Sequence, residues 1–432
     1  MELYRILCAV FLFSLVSAIK RAEDGSTLYE VEVKNEEERD IFSELVDKLN
    51  LDVWLPAIPE GSGRVLVLKD QRAAFENEFT AAGIQYEVVV ERMEELIELE
   101  RRKLSKAANI TTTSNGNRNI QINKIYTYDE VNDILDNLAK DHDSVDVFSQ
   151  GTTFGDRPIK YIRISSSKFM DFKKPVVFIQ ALIQAREWVS LPVALHAINK
   201  LVTDIDDRDL INDIDWIILP IANPDGYEYT RTASRLWTKN RRVHDDECVG
   251  VNINRNFNIR HSGTGSSNNP CSDNYRGSEP ESEMETQAIR DILTLHQGRI
   301  KLFLNLQSFG SHVLYGHGNL SLPLNGLILN FLAVQMAALQ NSIPNDKDRD
   351  YIVGNIGSIL GDQPGIAIDF ATEQRYVGYS YTINIASYGN GESIDNDNGY
   401  LVDADNLEEA AEEVWEAIRY SARFVRDNDF NI

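Results

Sequence analysis

The stretch from Pro175 to Ile183, Pro-Val-Val-Phe-Ile-Gln-Ala-Leu-Ile, is apolar at all but one position. Such a run does not alternate a wet face with a dry one. It reads as a strand buried on both faces, which requires helices above and below it. Trp216 to Ile221 and Lys301 to Leu306 read the same way, and Val145 to Phe148 and Ile159 to Ile164 read as further strands flanking Gly151 and Gly155. Helical patterns alternate with them. Thr127-x-x-Glu130 is a capping box ahead of Val131, Ile134, Leu135 and Leu138. Asn406 to Val425 places Ala411, Val414, Trp415 and Ile418 on one face. The expected architecture is an α/β fold, a mixed, mostly parallel sheet flanked by helices. Chemistry in such folds sits at the carboxyl ends of strands.

Ahead of this domain the pattern changes. Leu28 to Val33, Asp52 to Leu55, Arg64 to Lys69 and Ile84 to Val90 read as strands. One helix carries Ile41, Phe42, Leu45, Val46 and Leu49 on a face, and a second carries Phe75 and Phe79. The order β-α-β-β-α-β predicts a small ferredoxin-like α+β domain over 24–103. A charged helix, Glu91 to Lys103, closes it with Arg101-Arg102-Lys103. A polar linker follows over 104–119, leaving 120–430 for the large domain. The basic cluster beside this linker suits proteolytic cutting; a solvated helix end with cations at its C-terminus accounts for it equally simply.

Residues 1–18 predict a cleaved signal peptide: Arg5, the apolar run Ile6 to Val16, then Val16-Ser17-Ala18. The run is too short for a comfortable membrane anchor, and no later stretch predicts membrane insertion. Of the three cysteines, Cys8 leaves with that peptide. Cys248 and Cys271 then form a disulfide, as a pair in an exported chain usually does, or remain two buried thiols. Asn109-Ile110-Thr111 and Asn319-Leu320-Ser321 are sequons for glycosylation. The net charge of -24 argues against nucleic-acid partners and against anionic lipid.

Three stretches carry the chemistry. Gln184-Ala185-Arg186-Glu187-Trp188 follows the first buried strand. Asn223-Pro224-Asp225-Gly226-Tyr227 follows the next, with Arg235-Leu236-Trp237-Thr238-Lys239 behind it. The third runs from Cys248 through Asn254-Arg255-Asn256-Phe257 to Pro270-Cys271-Ser272 and Tyr275-Arg276-Gly277. Together they resemble the A/B-type zinc metallocarboxypeptidases over the large domain, and the small domain resembles that family's inhibitory activation domain. The resemblance places Cys248 and Cys271 where the family has a disulfide.

What the resemblance implies for the site is a set of departures. Active members hold zinc with a His-x-x-Glu pair and a distant second His, leaving the fourth position to water. Here those positions are Gln184, Glu187 and Gln307. The family's oxyanion-stabilising Arg is Thr238, and its general-base Glu is Asn384. Its substrate-binding Tyr has no counterpart around Leu360 to Asp362. Arg186, Asn254 and Arg255 are kept, the last two facing a substrate's terminal carboxylate in the family, and Ile368 stands where side-chain preference is set, favouring apolar C-termini.

Two of three metal ligands have become amides, poor donors for an ion that prefers imidazole and thiolate. Losing the base removes a factor of roughly 10²–10⁴, and losing an oxyanion donor about 10²–10³. No catalytic residue and no cofactor is therefore expected, and Glu187 is expected to pair with Arg186 or a neighbouring amide. His312 and His317 are excluded as substitute ligands, His312 because a strand residue five places beyond Gln307 points to the opposite face; His244 and His261 read as exposed or satisfied. The functions left open are a secreted binder of peptide or protein C-termini, an active carboxypeptidase releasing apolar C-terminal residues, and a regulatory or structural extracellular protein.

Overall fold

Alternation of side chains along buried strands sets the layers. On the strand Val176–Gln180, Val177 and Ile179 enter one hydrophobic core while Val176 and Phe178 enter another. Trp216 and Ile218 separate from Ile217 and Leu219 in the same way. The first core is roofed by the helices Ser190–Thr203, Gly326–Ser342 and Leu407–Asp427; the second holds Ala288, Ile289, Ile292 and Leu293 of the helix Met284–Leu295. The sheet between them was expected, and a computed structural model of the chain contains it. The structure describes residues 23–59, 61–110, 120–203, 207–244, 248–344, 350–387 and 399–428. The signal segment 1–18, residues 111–119 of the linker and the last residues to 430 lie outside the described residues.

The small sheet comprises β1 (Thr27–Val33), β2 (Asp52–Leu55), β3 (Gly61–Val67) and β4 (Gln85–Val90), in the order β2-β3-β1-β4. Its neighbours are antiparallel, and helices Glu36–Leu49 (α1) and Arg72–Ala82 (α2) cover it. This is the ferredoxin-like unit expected. The helix that follows, Met93–Ile110 (α3), runs past Lys103, where the linker was expected to begin. Lys103 is anchored by Asp403 at 2.7 Å, and the Ala-Ala pair beyond it favours further turns. Asn109 and Ile110 lie in its last turn; Thr111, which completes that sequon, falls outside the described residues.

The large sheet has eight strands: β5 (Val145–Thr152), β6 (Pro158–Ile164), β7 (Val176–Gln180), β8 (Asp215–Leu219), β9 (Ile300–Ser308), β10 (His312–Tyr315), β11 (Ile352–Asn355) and β12 (Tyr379–Ile385). Their order is β11-β10-β12-β9-β7-β8-β6-β5. The run β12-β9-β7-β8 is parallel. The first helix of this domain, Tyr128–Asp141 (α4), opens with the expected capping box: Thr127 Oγ1 accepts from Glu130 N and Glu130 accepts from Thr127 N. Cys248 and Cys271 are joined as a disulfide. Among the described residues no helix is long and apolar enough to cross a membrane.

Candidate functional site

The carboxyl ends of β7 and β9 open onto the motif residues. After β7 the chain turns sharply into the helix Ser190–Thr203 (α5). Ser190 Oγ holds that turn by donating to Glu187 O at 2.7 Å and accepting from Leu182 N at 3.1 Å. Ala185 N donates to Thr238 O at 3.0 Å, which brings the second motif against the first. Thr238 Oγ1 then donates to Gln184 Oε1 at 3.2 Å. Glu187 is buried, and the backbone N–H of Ser308 hydrogen-bonds its carboxyl. Gln307, in register with Asn384 on β12, lies beside it in sequence.

Gln184, Glu187, Thr238, Gln307 and Asn384 thus lie near one another at the carboxyl ends of neighbouring strands. Burial pushes the Glu187 carboxyl well above the usual carboxylate range, against the opposing pull of Arg186 and the Ser308 N–H. Among the described residues, its Oε2 and the side-chain nitrogen of Gln307 are both buried with no hydrogen-bond partner. The expected pairing of Glu187 with Arg186 is not formed. Arg186 is drawn the other way, to Asp52 of β2, at 2.6 and 3.0 Å, and it also donates to Leu236 O and Tyr400 Oη, both at 3.3 Å. Next to Asp52, Trp54 packs edge-on against Phe309 and Tyr400. The small domain therefore sits over the site and occupies its arginine.

His312 corrects the sequence reading. The chain reverses through Gly310 and Ser311, both at positive φ, and His312 starts a new strand. The alternation counted from Gln307 does not survive that turn. His312 is in register with Asn384, and its Nδ1 lies 3.5 Å from the Asn384 amide nitrogen. A Cβ on Gly310 would stand 2.7 Å from the His312 ring, so the close approach requires glycine there. His317 is the other exception: with Asp369 and Glu373 it places three ligand-type atoms within 4.8 Å of one another. Asp369, however, is already held by Arg260 at 2.9 Å and by the Gly318 N–H at 3.1 Å, so an added cation would compete with a guanidinium. His261 is satisfied by Arg276 O at 2.9 Å, and His244 packs edge-on against Tyr275.

Zinc is the ion the chemistry of such a site would call for, and these residues do not fit it. The oxygen Gln184 could offer already accepts from Thr238. Gln307 can offer only a second neutral amide oxygen, a poor donor for an ion that prefers imidazole and thiolate. Lys239, the cation next to Thr238, is no replacement: its Nζ donates to Pro270 O at 2.7 Å, and burial pushes it down to about 8.

The recognition residues form a second group. Arg255 is buried and donates to Gly265 O at 3.1 Å, Asn254 O at 2.9 Å and Gln363 Oε1 at 2.5 Å. All three acceptors are neutral, and burial pushes the guanidinium down to about 10 despite Asp362. Asn254 Oδ1 accepts from Ala367 N at 3.0 Å, which carries the loop bearing Ile368. Ile368 is buried in the second core. Gln363, which reasoning from the sequence missed, comes from the loop that lacks a tyrosine. Nothing local in the sequence marks it.

The chain matches the zinc carboxypeptidase family profile over residues 131–417 and the carboxypeptidase activation peptide profile over 29–100. It is 34% identical over 433 residues to a carboxypeptidase B of Helicoverpa zea, covering 98% of this chain and 99% of that protein. It is 29% identical over 420 residues to carboxypeptidase A2 of Mus musculus, covering 94% of this chain and 95% of that one. The crystal structure of the carboxypeptidase A from Helicoverpa armigera superposes with a TM-score of 0.90 at 42% identity, covering 95% of this chain and 99% of that chain.

Proposed function

The chain belongs to the zinc carboxypeptidase family and carries its activation peptide, and from that premise we propose that it is a secreted, catalytically degenerate member that holds peptide C-termini without hydrolysing them. The observation that carries the reading is the donor set at the metal position. Two neutral amides flank one carboxyl, and the amide oxygen of Gln184 is spent on a hydroxyl donor. Asn384 and Thr238 then supply neither a base nor a cation beside it. The reading needs no cofactor.

Capture rests on Arg255. Its hydrogen bonds go to neutral oxygens, so a terminal carboxylate that displaced Gln363 would gain a charge-assisted bond in place of a neutral one. Asp52 and Trp54 stand over Arg186, so the pocket accepts a ligand once the small domain has moved. Cutting within 104–119 is the step that would allow this.

Two measurements test the reading. The secreted protein is exposed to equimolar zinc, desalted and analysed for metal; near-zero zinc is expected. One zinc per chain, lost in Glu187→Ala, would reopen the peptidase reading. Peptides ending in apolar residues are then titrated into the full chain and into the trypsin-cut chain. Binding to the cut form that Arg255→Ala abolishes supports capture; binding that ignores Arg255→Ala refutes it.

A further inference from the structure

From Leu302 to Asn345 the sequence contains no Asp, Glu, Lys or Arg, in a chain where a quarter of the residues are charged. Much of that stretch is the helix Gly326–Ser342. Its inner face is ordinary: Leu329, Leu332, Ala333, Met336 and Ala337 enter the first core, and the helix packs on β10, β11 and the C-terminal helix. A surface helix with its inner face so filled should turn polar residues outward. This one does not. Leu324, just ahead of it, is fully exposed, and Leu327, Phe331 and Val334 are 88%, 52% and 43% exposed. Ala338 is exposed as well. The steps between these residues are three, four, three and four, which keeps them on one straight seam and is the spacing of a helix packed against another helix.

We propose that this seam is the contact between two copies of the chain, with the two helices antiparallel about a two-fold axis. Charge is the first reason for a second copy. Two molecules of net charge -24 repel each other over most of their surfaces. They can approach where charge is absent, and the helix together with its approach loop is such a face. A charged partner would find no complement there. Shape is the second reason. The seam tapers from Leu327 to Ala338, so antiparallel pairing sets each Leu327 on the partner copy's small Ala338 end and Phe331 beside Val334. Large meets small on both sides, as a self-complementary two-fold interface requires. The exposed side chains, with Leu320 and Leu322 on the approach loop, amount to several hundred Å², of the order of half or more of the ~800 Å² each partner buries in a standard interface. A dimer with Kd of about micromolar is the expected strength.

The test is analytical ultracentrifugation of the secreted full-length protein, carrying whatever glycan Asn319 bears, from roughly 1 to 100 µM, a range that brackets such a Kd. Monomer and dimer should interchange with concentration. Leu327→Glu, at a position too exposed to disturb folding, should weaken the dimer on the order of a hundredfold, because each copy would bury an unpaired carboxylate. Adding Ala338→Lys to the same chain should restore it, since antiparallel pairing places each new lysine against the partner copy's new glutamate. A protein monomeric throughout the range, or a dimer indifferent to Leu327→Glu, overturns the proposal. So does a monomer that floats with phosphatidylcholine vesicles through the same seam, which would make the helix a lipid contact.

Discussion

Glu100→Ala is the perturbation whose consequence the structure defines most closely. Glu100 lies on α3, and its side chain and that of Arg235 are each 2% exposed. They meet through two bonds, Nε to Oε2 at 2.7 Å and Nη2 to Oε1 at 2.9 Å, and Oε1 also accepts from Val402 N at 2.8 Å. Removing one partner of a buried pair costs about 3–5 kcal/mol, because the other charge stays behind. Arg235 would keep the carbonyls of Arg186 and Tyr400 at 2.9 and 2.7 Å and the Trp188 ring 3.8 Å beneath it. Those contacts place the expected loss near the lower end, about 3 kcal/mol. Glu100→Gln keeps the packing and one oxygen, so roughly half of that is expected. The measurement is urea unfolding at neutral pH, followed by tryptophan fluorescence and by trypsin cutting. Since Glu100 fastens the small domain to the large one, the loss should appear as earlier release of the small domain, with the large-domain transition little changed. Losses within about 1 kcal/mol for both variants, the level of an exposed pair, would refute the account of a desolvated latch.

Other outcomes follow from the same reasoning. Gln184→His with Gln307→His should recover about one zinc per chain by metal analysis, and added zinc should then raise the melting temperature by several degrees; a double variant that stays metal-free would mean the backbone around Ser308 no longer supports the geometry. His296 is buried, and burial, with Arg163 and Arg299 adding to it, pushes it down to about 4. In the unfolded chain it titrates near 6.5, so its contribution to stability is complete above that pH and is lost as pH falls through 4. The slope is up to about 1.4 kcal/mol per pH unit. His296→Gln should flatten the melting temperature between pH 6.5 and 4 relative to the parent, and parallel curves would refute the assignment.

The parts of this protein that were legible in the sequence are those whose signal is local and periodic. Val176 to Gln180 must be a central strand because no solvent-facing pattern fits it, and Thr127 with Glu130 announces a helix start because both halves of the reciprocal bond lie within one turn. The amides at 184 and 307 are read as losses because each position is defined by its neighbours in a short motif. What stayed hidden depends on contacts between distant residues or on a break in periodicity. Asp52 reaches Arg186 across 134 positions and Gln363 reaches Arg255 across 108, and neither acceptor carries any mark of its partner. His312 was misplaced because two residues at positive φ restart the strand count, and Ser311 does not advertise that conformation as a glycine would. The outer seam of the helix Gly326–Ser342 was invisible for the opposite reason: it is uncharged and so rich in apolar residues that the pattern does not tell an inner face from an outer one. Replacements at ligand and base positions show in the sequence, whereas which buried charge finds which partner is decided by the fold. Arg186 hydrogen-bonded to an aspartate and Arg255 hydrogen-bonded to amide and carbonyl oxygens are therefore different cases, which is why the proposed capture rests on Arg255.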